Sequence, residues 1–378
     1  MSRVNLYFAR SQKRPGLVQH QSLAYSNDKG RTWKRYEKNP VLDIKRKDFR
    51  DPKVFWHEPT KAWVMLLVIP DLFKVQFYRS DNLKEWSPLG EFGGIGDTTR
   101  IWECPDMYEL PVTNEPGKKK WVLSLSGGHP AGPAFVGMQY FIGEFNGSTF
   151  VADDPKQPPL YVDYGKDFYA GIVFNNIPKE DGRTIMIGWA NNWTYGNQIP
   201  TSPWRSAMSI PRELSLKKTG SGIRLIQQPV KEIALLRGEE ITDHEFSQPF
   251  ESEIEIDVTT ADESGIQIFK DDHEEIKISF NSTSHEVCID RTASGEINFN
   301  KDFASIECVK AVPVNGKIKL QVFVDKSIIE IFVNDGEQVL CEQFFPLKEL
   351  QTLNMYYINS KNLQGVTFKT REMKSVWR

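Results

Sequence analysis

The stretch Lys53–Ile69, KVFWHEPTKAWVMLLVI, decides the fold. Two runs of β-branched, aromatic and aliphatic residues flank Glu58-Pro59. Proline fixes φ and donates no hydrogen bond, so the chain turns there and each run reads as a strand. The plan returns at 106–126, DMYELPVTNEPGKKKWVLSLS, around Glu-Pro-Gly, and at 171–190, GIVFNNIPKEDGRTIMIGWA, around Glu-Asp-Gly. Between these lie hairpins of a second kind: YSNDKGRTWKRY (25–36), YRSDNLKEWSPL (78–89) and GEFNGSTFVAD (143–153). Each carries Asp, Asn or Gly at its tip, as tight β-turns require. A period of roughly 50–65 residues built from two hairpins predicts four-stranded units repeated about an axis, a β-propeller. A two-sheet sandwich with accidental spacing is the competing reading.

From about Gly238 the texture changes. FESEIEIDV (250–258), GIQIF (265–269), EIKISF (275–280) and EVCIDR (286–291) alternate apolar with polar, the period of half-buried antiparallel strands. Residues 316–345 add three more strands, the last two joined at Asn334-Asp335-Gly336. These predict a β-sandwich. The expected organisation is a propeller over 1–222, a linker over 223–240 in which Pro229 ends any strand and a short helix follows, and a sandwich over 241–378.

Composition excludes several classes. The 378 residues carry a net charge of −3 and no block of like charge, which argues against a nucleic-acid partner. No run reaches the roughly 20 apolar residues that span a bilayer, so no membrane partner is expected. No signal-peptide pattern opens the sequence, giving a cytoplasmic reading of the chain as it stands, with the natural N-terminus an open question. Cys104, Cys288, Cys308 and Cys341 fit neither a zinc site nor a disulfide framework by spacing and are read as free thiols in a reducing compartment. Aromatic residues reach 12%, with ten tryptophans, a composition that suits a core and a sugar-stacking cleft equally.

Chemistry gathers at two strand entries. In IWECPDMYELP (101–111), Glu103 sits between Trp102 and Cys104, and in DFRDPKVFW (48–56), Asp51 follows Arg50 and precedes Pro52. Glu103 lies 52 residues after Asp51, one repeat length, so both carboxylates are expected at the same end of neighbouring inner strands. Apolar neighbours would raise the pKa of Glu103, while Arg50 would hold Asp51 ionised. One acid that keeps its proton and one that loses it is the division of labour glycoside hydrolysis uses. The competing reading is ordinary: Asp before Pro forms turns, and Arg-Asp pairs populate surfaces.

At these residues the chain resembles glycoside hydrolase family 32, the β-fructosidases that include invertases, inulinases and levanases. FRDPKVFW resembles its Arg-Asp-Pro motif and WECPD its Glu-Cys motif. QSLAYSNDKGRTWKRYEKNPVL (21–42), DFYAG (167–171), GWANNW (188–193), TSPWRSAMSIPREL (201–214) and FVDKSIIEIFVNDG (323–336) extend the likeness along the chain. The resemblance implies an all-β chain, a five-bladed-type propeller followed by a β-sandwich, and retaining hydrolysis of fructosyl linkages in levan, inulin or sucrose. It implies Glu103 as general acid/base and Asp51 as transition-state stabiliser. Arg50 and Trp189 would bind the fructosyl unit, with Asp167 and Tyr169 near the rim. No metal or organic cofactor is implied.

The family's Trp-Met-Asn-Asp-Pro-Asn-Gly segment, whose Asp is the nucleophile on the first blade, has no counterpart in these residues. Asn27-Asp28 and Asn334-Asp335 are hairpin tips and neither precedes Pro. SRVNLYFARS (2–11) resembles a second-blade strand, so the first blade and part of the second are expected to be missing, leaving three repeat units and a fraction. Activity of the chain alone is then expected to be low. The alternatives are a non-catalytic fructan-binding protein, or one half of a split fructosidase completed by a separately encoded first blade. A related glycosidase acting on arabinosides or xylosides is disfavoured by ECPD and SPWRSAMSIPREL.

Overall fold

The structure, a computed structural model, describes residues 4–11, 18–241, 245–246, 249–258, 263–271, 274–347, 353–357 and 365–376. The chain divides into two structural units. The first takes in residues 1–128, 138–160 and 170–177, and the second 129–137, 161–169 and 178–378.

The first unit is built from blade-type antiparallel sheets. In one, strands Arg50–His57, Ala62–Ile69, Lys74–Ser80 and Ser87–Gly93 lie in chain order, each joined to the next by a hairpin. The next runs Glu103–Pro111, Lys119–Ser126, Met138–Phe145 and Phe150–Ala152, also in chain order, with the longer segment 127–137 connecting the middle two strands. Ahead of these, Gln19–Ser26 pairs with Val4–Ser11, Lys34–Arg35 and Leu42–Arg46. Turn chemistry shapes the hairpins. The Asn82 side chain accepts from the Lys84 and Glu85 amides, and Ser26 Oγ accepts from the Gly30 amide, each closing a loop where the sequence placed a tip. Between the two blades that begin at Arg50 and Glu103 lies a core of Val64, Leu66, Phe77, Phe92, Trp102, Leu123 and Phe141.

The second unit holds a further sheet of the same kind, Ile185–Ala190, Arg212–Thr219 and Gly222–Pro229, with Ala207–Met208 beside Ile185–Ala190. It also holds two six-stranded sheets whose inner faces meet. Phe250, Ile254 and Ile256 from one sheet pack with Ile266, Ile276 and Ile278 from the other, the alternate residues the sequence pattern assigns to the core. The fold class is a β-propeller followed by a β-sandwich.

Residues 223–240 are not a linker in the ordinary sense. Gly222–Pro229 is a full strand paired along its length with Arg212–Thr219. A 3-10 helix, Lys231–Leu236, follows directly, and Arg237–Ile241 pairs with Val366–Met373. Pro229 does end its strand. The cysteines also need correction. Cys288 and Cys308 face each other on neighbouring strands Glu286–Ala293 and Ile306–Lys310 and form a disulfide. Only Cys104 and Cys341 are free thiols. Spacing hides such a bridge, because register between the strands, not sequence distance, brings the sulfurs together.

Two buried charge networks organise the second unit. Arg212, fully buried, reaches Asp163 at 2.8 Å, Glu330 at 2.7 Å and Gln227 at 3.1 Å. Nearby, Gly336 at φ +89° lies so close to Gln227 that a Cβ would overlap its carbonyl oxygen, so only glycine fits that turn. Arg291 contacts Asp167 at 2.6 Å, Glu342 at 2.7 Å and the Tyr195 hydroxyl at 2.9 Å. One guanidinium here faces two buried carboxylates. Burial, with Asp167 and Glu307 nearby, outweighs Arg291 and pushes Glu342 up to about 8.

Because that value exceeds the roughly 4.3 of an unfolded glutamate, the folded chain keeps a proton that the unfolded chain has released. The stabilisation is complete below about pH 4.3 and is lost as pH rises through about 8. Glu342→Gln should therefore flatten the decline in urea midpoint between about pH 5 and 8 relative to the parent chain. Parallel midpoint curves would refute the assignment.

Candidate active site

Three polar contacts join the first strands of two neighbouring blades, and each spans 53 residues. Arg50 Nη2 donates to Glu103 Oε1 at 2.9 Å, the Cys104 amide donates to Asp51 Oδ2 at 2.9 Å, and Lys53 Nζ meets Asp106 Oδ1 at 3.0 Å. The repeat register is thus 53. Glu103 is the positional counterpart of Arg50, and Cys104 that of Asp51, one residue away from the 52-residue match expected. The bulges explain the slip. Pairing shifts between Arg50 and Lys53 in one blade and opposite Ser124–Ser126 in the next. At each bulge one non-glycine residue sits in the left-handed region, Asp51 at φ +59° and Cys104 at φ +46°. Such backbone is costly and re-aims the flanking side chains, so it commonly marks a functional strand end.

Both expected carboxylates come to one place. Arg50 holds Glu103 directly and lies 3.8 Å from Asp51 Oδ2, and it also binds Asp48 at 3.1 Å. All are partly accessible, with side-chain exposure of 27% for Asp51, 24% for Glu103 and 17% for Arg50, so a solute can touch them. Burial opposes the Arg50 charge, but Glu103, Asp51 and Asp48 together hold its pKa above the ordinary value. For Asp51 the expected direction is reversed. Burial pushes its carboxyl above the usual range, helped by the Glu103 charge and against the pull of the Cys104 amide and Arg50. The cation is visible in the sequence; the burial is not.

Trp102 does not flank Glu103 as expected. Its ring is fully buried, stacks on Phe92 at 6.4 Å and donates to the Asp97 carbonyl at 2.7 Å, which anchors the strand entry from behind. Burial, with Asp51 and Glu103 beside it, raises the Cys104 thiol far above its usual value, so it is a neutral group whose backbone amide does the binding.

In the second unit Trp189 is half-buried on strand Ile185–Ala190, 4.8 Å from the Trp193 ring and edge-on to Tyr169 at 6.4 Å. Trp193 is 56% exposed. Asp167 is not at a rim. It is wholly buried, held by Arg291, the Tyr195 hydroxyl and the Gln343 amide. Tyr169 is buried as well. Among the described residues no group of His, Cys, Asp and Glu is placed to hold a metal ion.

The residues that sequence reasoning missed are Asp48, Lys53 and Asp106. Lys53 and Asp106 lie just beyond Asp51 and Glu103 on the same strands, with Asp106 fully buried. Lys53 Nζ also donates to the Val173 carbonyl at 2.9 Å, and Asp106 Oδ2 accepts from the Val173 amide at 2.7 Å. One ion pair therefore ties strands Arg50–His57, Glu103–Pro111 and the segment at Val173. A lysine opening the apolar run at 54–56, one repeat from an aspartate, was the available signal. Removing one partner strands the other charge in the core, at a typical cost of roughly 3–5 kcal/mol. Lys53→Met should cost about that much in urea unfolding, and Lys53→Met with Asp106→Leu should recover most of it. A single-variant loss below about 1 kcal/mol, the range of exposed pairs, would overturn this view.

Comparison with known proteins gives a consistent result. Residues 3–229 match the Glycosyl hydrolases family 32 N-terminal domain, and residues 225–371 match the Glycosyl hydrolases family 32 C terminal. A levanase of Bacillus subtilis (strain 168) is 41% identical over 381 residues, covering 95% of this chain and 55% of that protein. An extracellular exo-inulinase of Aspergillus awamori is 36% identical over 364 residues, covering 87% of this chain and 67% of that protein. The chain thus spans about half the length of the levanase and two thirds of the inulinase. The crystal structure of exo-inulinase from Aspergillus awamori superposes with a TM-score of 0.89 at 31% identity, covering 100% of this chain and 80% of that one. A fructofuranosidase from Schwanniomyces occidentalis complexed with fructose gives 0.82 at 28%, covering 98% and 79%. With both domain matches in chain order and relatives this similar, the protein belongs to glycoside hydrolase family 32.

Proposed function

We propose that this chain is a glycoside hydrolase of the β-fructofuranosidase type, acting on fructosyl linkages of levan, inulin or sucrose with retention. The observation that carries the proposal is the Arg50 guanidinium shared by Glu103 and Asp51 at the entry to neighbouring strands. Glu103 is assigned as general acid/base, giving its proton to the leaving-group oxygen and later taking one from water. Asp51 accepts hydrogen bonds from fructosyl hydroxyls and steadies the oxocarbenium-like centre. Arg50 orients both carboxylates and a sugar hydroxyl. Trp189, beside Trp193, offers an aromatic face on which a sugar ring can stack. No cofactor enters the scheme. The names of the relatives, levanase and exo-inulinase, support the substrate class.

Retention needs a third carboxylate as nucleophile. These 378 residues contain no Trp-Met-Asn-Asp-Pro segment to supply it. Turnover by these residues alone is therefore proposed to be slow or nil, and the second reading is a fructan-binding protein, or one part of a fructosidase completed by a separate first blade. Purified chain incubated with levan, inulin and sucrose should release little fructose yet bind fructose-terminated oligosaccharides, roughly tenfold or more weakly in Asp51→Ala. Absence of binding would sink the fructosidase reading. Ordinary turnover that disappears in Glu103→Gln would reveal a substitute nucleophile and end the inactive reading.

The Cys288–Cys308 bridge supports work in an oxidising compartment, in place of the cytoplasmic reading. Chain taken from its native source and denatured in iodoacetamide should show two alkylated cysteines without reductant and four with it. Four in both would reverse the assignment.

A further inference from the structure

On the outer face of the sandwich sheet, away from its apolar core, three neighbouring strands carry two complete polar rungs. Strand Phe250–Asp257 pairs on one side with Lys317–Val324 and on the other with Val366–Met373. Its register sets Thr367, Glu255 and Lys319 in one row, and Lys369, Glu253 and Gln321 in the next. The rows are two residues apart, about 7 Å, and the strands about 4.8 Å apart, so the six tips cover roughly 7 by 10 Å. That is the footprint of one or two sugar rings. These side chains floor a depression of about 510 Å³, within the range of small-molecule sites. Phe332 lines one end and Asp335, at the tip of the following hairpin, lines another part of the wall.

The chemistry narrows the ligand. Two lysines against three carboxylates leave almost no net charge, which is unsuited to phosphate or nucleic acid. Across the strands an acceptor stands between donors, Glu255 between Thr367 and Lys319 and Glu253 between Lys369 and Gln321, an arrangement that can engage vicinal hydroxyls. The carboxylates are only partly committed. Glu253 meets Arg237 and Arg371 at a loose 3.5 Å, and Lys317 engages Glu255 through one oxygen at 2.8 Å. Each keeps acceptor capacity for a hydroxyl. Thr367, short and exposed, leaves the middle of the depression open.

We propose that this groove is a second carbohydrate site, on the sandwich, that holds a short neutral oligosaccharide. Its function would be to keep a polymer chain on the protein. The choice of fructan as the natural ligand rests on the fructosidase reading; the groove as a sugar site does not.

The experiment uses the full chain carrying Asp51→Ala, which weakens binding at the propeller roughly tenfold or more. Calorimetric titration with short levan and inulin oligosaccharides should still show saturable binding. Adding Thr367→Arg, which fills the groove, or Lys319→Ala, which removes a donor, should weaken it roughly tenfold or more with melting temperature unchanged. No binding in the Asp51→Ala chain, or equal binding with and without Thr367→Arg, overturns the groove and leaves the propeller assignment intact. Groove-dependent binding of maltopentaose or cellopentaose in preference to fructans upholds the sugar site and cuts its link to fructan.

Discussion

The pairing of first strands between neighbouring blades is the constraint on which the candidate site depends. A polar side chain in a propeller channel has few neighbours of its own strand, so it must be held from the adjacent blade. Here three bonds at one spacing do this, from Arg50, Asp51 and Lys53 to Glu103, Cys104 and Asp106. The deepest pair, Lys53 with Asp106, is shielded from water and therefore strong and directional. The outer two are partly exposed and keep the freedom to exchange a protein partner for a solute's polar group. Rigidity below and exchangeability above is what a binding site needs, since preorganised groups give up little entropy when a ligand arrives.

Strain at the strand entry has the same origin. A bulge places one extra residue opposite a partner, and the chain accommodates it by putting Asp51 and Cys104 in left-handed backbone. Pro52 and Pro105 follow these residues, where the absent N–H leaves no ladder bond to lose. The Cys104 amide, turned out of the ladder, is the group that binds Asp51. A local defect in the sheet is thus converted into a hydrogen-bond donor for a carboxylate, and the two blades enforce each other's irregularity.

Much of the fold was legible because strands, turns and cores have short periods. Alternation in FESEIEIDV marks which face of that strand is buried, and the tips at Asn82 and Asn334-Asp335-Gly336 fall where side-chain chemistry demands them. The two carboxylates were legible as residue types at a repeat spacing. Their electrostatics were not. Desolvation of Asp51 depends on packing from another blade, and a string of letters shows Arg50 beside it but not what covers it. Asp167 illustrates the same limit. Its partner Arg291 lies 124 residues away, so a motif that looked like a pocket rim is a buried anchor. Cys288 and Cys308 are partners only through strand register.

The second unit shows why buried charge can serve specificity even where it adds little stability. Arg212 and Arg291 each gather carboxylates from segments far apart in sequence, and each sits over an aromatic ring, Phe168 at 4.0 Å and Phe303 at 4.1 Å. An apolar substitute of equal volume could match the burial, but apolar contacts slide. A fork held by Asp163 and Glu330, or by Asp167 and Glu342, admits one register only, because any slip leaves a charge unpaired in the core. Segment 161–169 is fixed in this way at two points, through Asp163 and through Asp167. Trp189 lies edge-on to Tyr169, two residues beyond Asp167, so the ionic anchors reach within one aromatic contact of it.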